Sequence, residues 1–333
     1  MKIAVLGDGG WGTALAVVSD RNKNDVVLWS AFPEYAKVLR EKRENVKFLP
    51  GVELPEKIQI ETNITSAIEF GEIVILAIPT QYLRNVLHKI KDLDYSKKIF
   101  VSVAKGIEKK TCLRPSEIIL SVLGEKINLV VISGPSHAEE VARNMPTLIV
   151  AASSDRGVAA KVQQALLNPY FRIYVQTDIV GVELGGALKN VIAIAAGVCD
   201  GLKFGDNTKA GLLSRGLLEM ARLGIRMGAN PNTFFGLSGM GDLVTTCFSK
   251  HGRNLRVGRE LGEGKKIKDI LASMEMVAEG VDTAASVHEL ATRLGVDLPV
   301  MGEVYKLLFE DKDARSAVGD LLARDAHEEW KQY

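Results

Sequence analysis

The chain has 333 residues, enough for two cores rather than one. Its 47% hydrophobic and 25% charged residues are typical of a globular protein, and a formal net charge of +1 gives no global reason to expect nucleic acid or an anionic membrane as partner. Cys112, Cys199 and Cys247 form no CxxC, and five scattered histidines form no cluster, so reduced thiols and no metal site are expected. The N-terminal MKIAVLGDGGWG enters a strand at once, and no uninterrupted apolar run is long enough for membrane insertion. A cytoplasmic setting without a secretory leader is the expectation.

In chain order, KIAVLG (2–7) reads as a strand, followed by an amphipathic helix from Gly10 to about Asp20 and a second strand, DVVLWS (25–30). IVILAIP (73–79), IFVSVAKG (99–106), LVVISGPS (129–136), TLIVAA (147–152) and FRIYVQ (171–176) repeat the strand pattern, apolar on both faces. Helical patterns such as YLRNVLHKI and VAAKVQQALL lie between them. This alternation predicts an α/β, doubly wound, largely parallel sheet of Rossmann type, the later strands joining in either direction. After about Thr177 the strands stop, and GVELGGALKNVIAIAAGV, KAGLLSRGLLEMARLGI, TAASVHELATRLGV and VMGEVYKLLFE read as helices. The expected organisation is a Rossmann-type domain over residues 1–180 and an all-α domain over 181–333.

GDGGWG places Gly7, Gly9 and Gly12 in G-x-G-x-x-G spacing after a strand and at the opening of a helix, the context that gives the pattern meaning. Gly7 permits the turn, Gly9 lets backbone approach a pyrophosphate, and Gly12 lets the helix pack closely. Free amides at the helix start, Gly10 among them, then hold the phosphates. The second strand ends Leu28-Trp29-Ser30-Ala31-Phe32, with neither an acid nor an Arg to read the ribose. Ser30 suits a hydroxyl or a phosphate oxygen, so NAD and NADP both stay open.

Lys105 follows an apolar strand, and Gly134 and Ser136 form a turn before a helix opening at Ala138. The plain alternatives are a solvated loop lysine and an N-cap serine. In LSGMGDLVTTCFSKHGRN, Asp242 lies in a glycine-rich turn, and Arg253 and Asn254 stand at a helix start. Asp242 suits a cap equally well, while Arg and Asn at a helix N-terminus suit a phosphate. Lys189 lies in VELGGALKNVIAIAAG with no carboxylate three or four residues away. Either it snorkels to water, or it has a use inside. Gly185 and Gly186 on the preceding turn suggest space left for ligands beside its amine.

GxGxWGTALA, VAKGIE, GPSHAEEVA, ELGGALKNVIAIAAG, SGMGDLVTTC, the RN pair and VAEGVDTA occur in an order and spacing that resembles bacterial NAD(P)-dependent sn-glycerol-3-phosphate dehydrogenases over essentially the whole chain. The resemblance implies interconversion of dihydroxyacetone phosphate and glycerol 3-phosphate in the cytoplasm, supplying phospholipid synthesis, by a protein that is commonly dimeric. It also implies that Lys189 is the acid/base, with Lys105 and Asp242 beside it. Gly134, Ser136, Gly252, Arg253 and Asn254 match substrate contacts, with Lys105, Lys189 and Asp242. Trp11, Ala138, Val277 and Glu279 match cofactor contacts, with Lys105 and Arg253; the glycine-rich loop (Gly7, Gly9, Gly10, Gly12), Ser30 and Phe32 complete that set.

Two departures matter. Many relatives have Ser where this chain has Gly252, leaving only a backbone contact there, and the Arg often found after the second strand in NADP-preferring members is absent. Two other functions compete: a 3-hydroxyacid or 6-phosphogluconate-type dehydrogenase, and a nucleotide-binding regulator without turnover.

Overall fold

The structure is a computed structural model that describes residues 1–249, 252–274 and 277–325. Lys250, His251, Glu275, Met276 and the end of the expected second domain, 326–333, lie outside the described residues. Two compact units emerge: Met1–Lys105 with Leu113–Glu183, and Gly106–Cys112 with Leu184–Tyr333. The chain thus changes unit at Glu183, three residues beyond the expected boundary, and the short segment after Lys105 belongs to the second unit, which no sequence signal announces.

The first unit is built on strands β1 (Lys2–Leu6), β2 (Asp25–Trp29), β5 (Gln59–Glu61), β6 (Ile73–Leu76), β7 (Ile99–Ser102), β8 (Asn128–Ser133), β9 (Thr147–Ala152) and β10 (Phe171–Gln176), with β3 (Glu44–Asn45) and β4 (Leu49–Glu53) pairing separately. The sheet order is β10-β9-β8-β7-β6-β1-β2-β5. Every pairing in it is parallel except β8 with β9, which settles the open direction of the later strands. The short strands β3, β4 and β5 carry too little periodicity to be read in advance.

Burial of β1 beyond Lys2 and of all of β6 requires helices on both faces, and two apolar clusters provide it, one including the helix Gly10–Arg21 and the other the helices Thr80–His88 and Pro115–Leu123. Strand order reverses at β1, between β2 and β6, the position where open α/β sheets bind ligands beyond their carboxyl ends. Gly7, Ser30, Lys105 and Gly134 all follow carboxyl ends of mutually parallel strands. Within this unit Glu183, fully buried, accepts from the Arg114 guanidinium, the Ser116 amide and the Ser116 hydroxyl at 2.5–2.7 Å. Burial pushes its carboxyl up, and Arg114 pulls it back.

The second unit is helical among its described residues. Its central helix, Ile179–Gly201, begins in the first unit and is long and apolar enough to cross a membrane by composition, but 89% of that window is buried inside the protein, as in a core helix. It crosses the helix Arg253–Gly262 at backbone distance. A Cβ on Gly197 would lie 2.1 Å from the Leu255 carbonyl oxygen, and one on Gly258 would lie 1.9 Å from that of Ile194. Gly201 and Gly262 extend the same seam.

The segment Gly106–Cys112 is tied to the helix Glu279–Leu294. The Ser286 hydroxyl lies 3.3 Å from the carbonyls of both Ile107 and Glu108, and Lys109 pairs with Asp282. Lys110 and Cys112 adopt positive φ there.

Candidate active site

In the first unit the glycine-rich turn has the features a pyrophosphate requires. Gly7 sits at φ +118°, and a Cβ on it would lie 2.4 Å from the Ala77 carbonyl oxygen. Gly12 could carry no side chain either, since its Cβ would meet the Gly7 carbonyl at 2.0 Å. Gly9 faces open space and is the extended N-cap of Gly10–Arg21. That helix start has no side-chain cap and no acid in its first turn, so its amides and positive dipole end remain for an anion. Gly10 and Ala138 are neighbours at this turn, the Ala138 methyl lying 3.6 Å from where a Gly10 Cβ would stand. The residues present therefore fit a dinucleotide. Trp11 packs toward Phe171 with its indole N–H buried and unbonded among the described residues, and Phe32 is 69% exposed.

Ser30 is corrected by the structure. It is fully buried, and its hydroxyl donates to Asp8 Oδ2 at 2.6 Å, so it is not available to a ribose or phosphate oxygen. Asp8 and Asn45 escaped sequence reasoning: Asn45, also fully buried, donates to the Asp8 carbonyl and the Thr13 hydroxyl, both at 2.7 Å. The signal for Asp8 was available, an acid inside the glycine-rich loop itself.

Beyond β7 and β8, Lys105 Nζ donates to the Gly134 carbonyl (2.9 Å) and approaches Ser136 Oγ (3.4 Å). Gly134 adopts φ +136°, and a Cβ there would press on the Ile149 backbone at 3.0 Å. His137, not Ser136, is the N-cap of Ala138–Ala142. Ser136 instead donates to the Gly134 carbonyl at 2.9 Å.

In the second unit Lys189 is 6% exposed, and its ammonium donates to Asp242 Oδ1 at 2.5 Å and Thr246 Oγ1 at 2.6 Å. The snorkelling alternative is excluded, because the charge ends on buried partners. Asp242 opens the helix Asp242–Phe248 after a π-turn over Leu237–Gly241, and Thr246 lies one turn further on. The reading of Gly185 as open space is also corrected: a Cβ there would lie 2.3 Å from the Ser238 carbonyl oxygen, so this glycine lets the turn leading to Asp242 pack against the Lys189 helix. Cys247 lies close by, its thiol pushed up to about 12 by burial although Lys189 opposes the shift, and it stays neutral.

Nearby chain ends converge on the same helix. Asn254 Oδ1 accepts the Gly280 amide at 3.0 Å, and a Cβ on Gly280 would strike the Asn190 carbonyl at 2.6 Å. Arg253 donates to the Val277 carbonyl at 3.0 Å, and Glu279 is the first residue of the helix that follows. Arg253, Asn254, Val277 and Glu279, distant in sequence, are thus brought together. Gly252 is the extended N-cap of Arg253–Gly262 without a side-chain cap, which leaves that helix start open as well. No three His, Cys, Asp or Glu side chains among the described residues are grouped to hold a metal.

A strand-end turn that fits a dinucleotide, in a chain that also buries a lysine in a helical unit, suits the class of nicotinamide-dependent dehydrogenases. The family models for the N-terminus and C-terminus of NAD-dependent glycerol-3-phosphate dehydrogenase match residues 2–159 and 178–319. The chain is 48% identical to glycerol-3-phosphate dehydrogenase [NAD(P)+] of Chlorobium phaeobacteroides (strain BS1), over 99% of each chain. The corresponding protein of Geobacillus kaustophilus is also 48% identical, over 98% of this chain and 96% of that one. Among solved structures, glycerol-3-phosphate dehydrogenase from Coxiella burnetii superposes with a TM-score of 0.93 at 37% identity, covering 97% of this chain and 98% of that one. The chain belongs to the NAD-dependent glycerol-3-phosphate dehydrogenase family and is an NAD(P)-dependent oxidoreductase.

Proposed function

We propose that the protein reduces dihydroxyacetone phosphate to sn-glycerol 3-phosphate, and runs the reverse reaction, with Lys189 as general acid and base. The observation that supports this most is the ammonium held in the interior by one carboxylate and one hydroxyl, Asp242 and Thr246. The bound nicotinamide supplies the hydride to the carbonyl carbon. Lys189 Nζ gives the carbonyl oxygen its proton and, as the neutral amine in the reverse direction, takes the hydroxyl proton. Asp242 orients that nitrogen and favours its charged form. Lys105 is assigned to the reacting oxygens with Gly134 and Ser136, adding positive charge where negative charge develops.

Arg253 and Asn254, with the open amides that follow Gly252, are assigned to the phosphate, since a guanidinium and a helix N-terminus both favour an anion. Gly7, Gly9, Gly10, Trp11, Gly12, Phe32 and Ala138 are assigned to the dinucleotide, with Lys105, Arg253, Val277 and Glu279. The same reading makes the protein a cytoplasmic homodimer whose product feeds phospholipid synthesis.

The test is initial rates of NADH and NADPH oxidation with dihydroxyacetone phosphate against a panel of 3-hydroxyacids run in the oxidative direction. Turnover confined to the acids would sink the proposal in favour of the 3-hydroxyacid alternative.

A further inference from the structure

We infer that Asp8 makes this protein select NAD(H) over NADP(H), by placing a buried negative charge where the adenosine ribose is read. The inference rests on the family's use of a dinucleotide and goes beyond it in naming which one. In a Rossmann-type unit the ribose lies at the carboxyl end of the second strand, and an acid at that strand end commonly binds its 2′-hydroxyl. Here β2 ends without an acid. The carboxylate comes instead from the loop after β1: Asp8 is 8% exposed, and Ser30, the residue following β2, donates to it.

Ser30 holds the carboxylate itself, through Oδ2. The Asp8 backbone is fixed separately: its carbonyl is held by Asn45 and by Thr13, and Asn45 is itself held by the Tyr35 hydroxyl at 2.6 Å. Among the described residues, no cation pairs with the carboxylate. Residues 30–36 include no Lys or Arg and do include Glu34. Lys37 faces Glu41, the Arg40 guanidinium donates to the Ile60 carbonyl, and the Arg43 guanidinium donates to the carbonyls of Leu54, Pro55 and Ile58.

The consequence follows from charge. A ribose 2′-hydroxyl is neutral, whereas a 2′-phosphate brings nearly two negative charges. Those charges meet a carboxylate whose surroundings screen it less than water would, and like charges set together discriminate strongly. Because Ser30 spends its proton on Asp8, it has no second one to give a phosphate oxygen.

The experiment measures equilibrium dissociation constants for NADH and NADPH directly, by nicotinamide fluorescence at fixed ionic strength, without substrate. Wild type is compared with Asp8→Asn, which keeps an acceptor for Ser30, and with Ser30→Ala, which keeps the charge; thermal melts confirm that each is folded. Expected are NADH binding about tenfold or more tighter than NADPH in wild type, and loss of most of that difference in Asp8→Asn through tighter NADPH binding. Ser30→Ala is expected to retain the preference. Equal tightening of both dinucleotides in Asp8→Asn would place the charge against the shared pyrophosphate and overturn the inference, as would wild-type preference for NADPH. Failure of wild type to bind either dinucleotide would overturn the cofactor reading itself, a result distinct from the other two.

Discussion

Lys189 and Asp242 form a buried ion pair, Nζ to Oδ1 at 2.5 Å, between residues 53 apart in sequence. Such a pair is poor evidence for net stability, because desolvating both charges offsets their attraction. Its value lies in fixing where the ammonium points. Removing the ammonium should therefore stop the chemistry, with a folding cost from the carboxylate it leaves buried. Lys189→Ala is expected to lower kcat by at least about a hundredfold, the low end of what general acid–base catalysis contributes, with NADH affinity nearly unchanged. Steady-state rates paired with a binding titration check this, and retained turnover would remove Lys189 from its assigned role.

Asp242→Leu leaves the ammonium without its carboxylate. Breaking a buried pair from one side costs about 3–5 kcal/mol, which urea unfolding should register as a lower midpoint at unchanged slope. A midpoint equal to wild type would mean that the lysine finds another anion or reaches water.

Arg253 sits exposed at the start of its helix, with one guanidinium nitrogen on the Val277 carbonyl. Held to the phosphate, it binds ground and transition states alike, so Arg253→Ala should raise KM for dihydroxyacetone phosphate much more than it lowers kcat. Inorganic phosphate should inhibit the variant less than wild type. A pure kcat effect would contradict the phosphate assignment.

Glu219 predicts a pH dependence. Its carboxylate accepts the Val300 and Met301 amides at 2.7 and 3.0 Å, capping the helix Pro299–Phe309 from outside. Burial nonetheless pushes its pKa from 4.5 to about 7, against the pull of those bonds. The folded state then holds the proton more tightly than the unfolded chain. This contribution is greatest below pH 4.5 and is lost as pH rises toward 7, by about 3 kcal/mol in total. Urea midpoints at pH 5 and pH 8 for wild type and Glu219→Gln check it: the advantage of wild type over the variant should shrink at pH 8. A pH-independent difference would refute the shift.

Glycines in the helical unit divide into two kinds. Gly258→Ala drives a methyl into the Ile194 carbonyl at the close helix crossing and should cost about 3 kcal/mol or more. Gly319→Ala, in a helix with nothing within 4 Å of the added carbon, should instead stabilise by up to about 1 kcal/mol. Thermal melts of both variants test the contrast, and equal effects would argue against backbone-limited packing.

What sequence alone determined here is what depends on local rules. Continuous apolar runs and helical apolar patterns located most strands and helices, and the glycine spacing located the tight turn after the first strand, because steric limits on φ and ψ act within a few residues. The strands between Glu44 and Glu61 escaped because two of them have only two or three residues and the third, LPGVE, is interrupted by proline and glycine. Tertiary structure decided which residues meet. Only the fold gave Lys189 its carboxylate, replaced the open space expected beside Gly185 with the Ser238 backbone, and turned Ser30 inward to Asp8. It also set the Ser286 hydroxyl against the carbonyls of Ile107 and Glu108, nearly 180 residues away. Partners of this kind are chosen by close packing and by the cost of burying a polar group unpaired, and both are properties of the folded interior as a whole rather than of any stretch of chain.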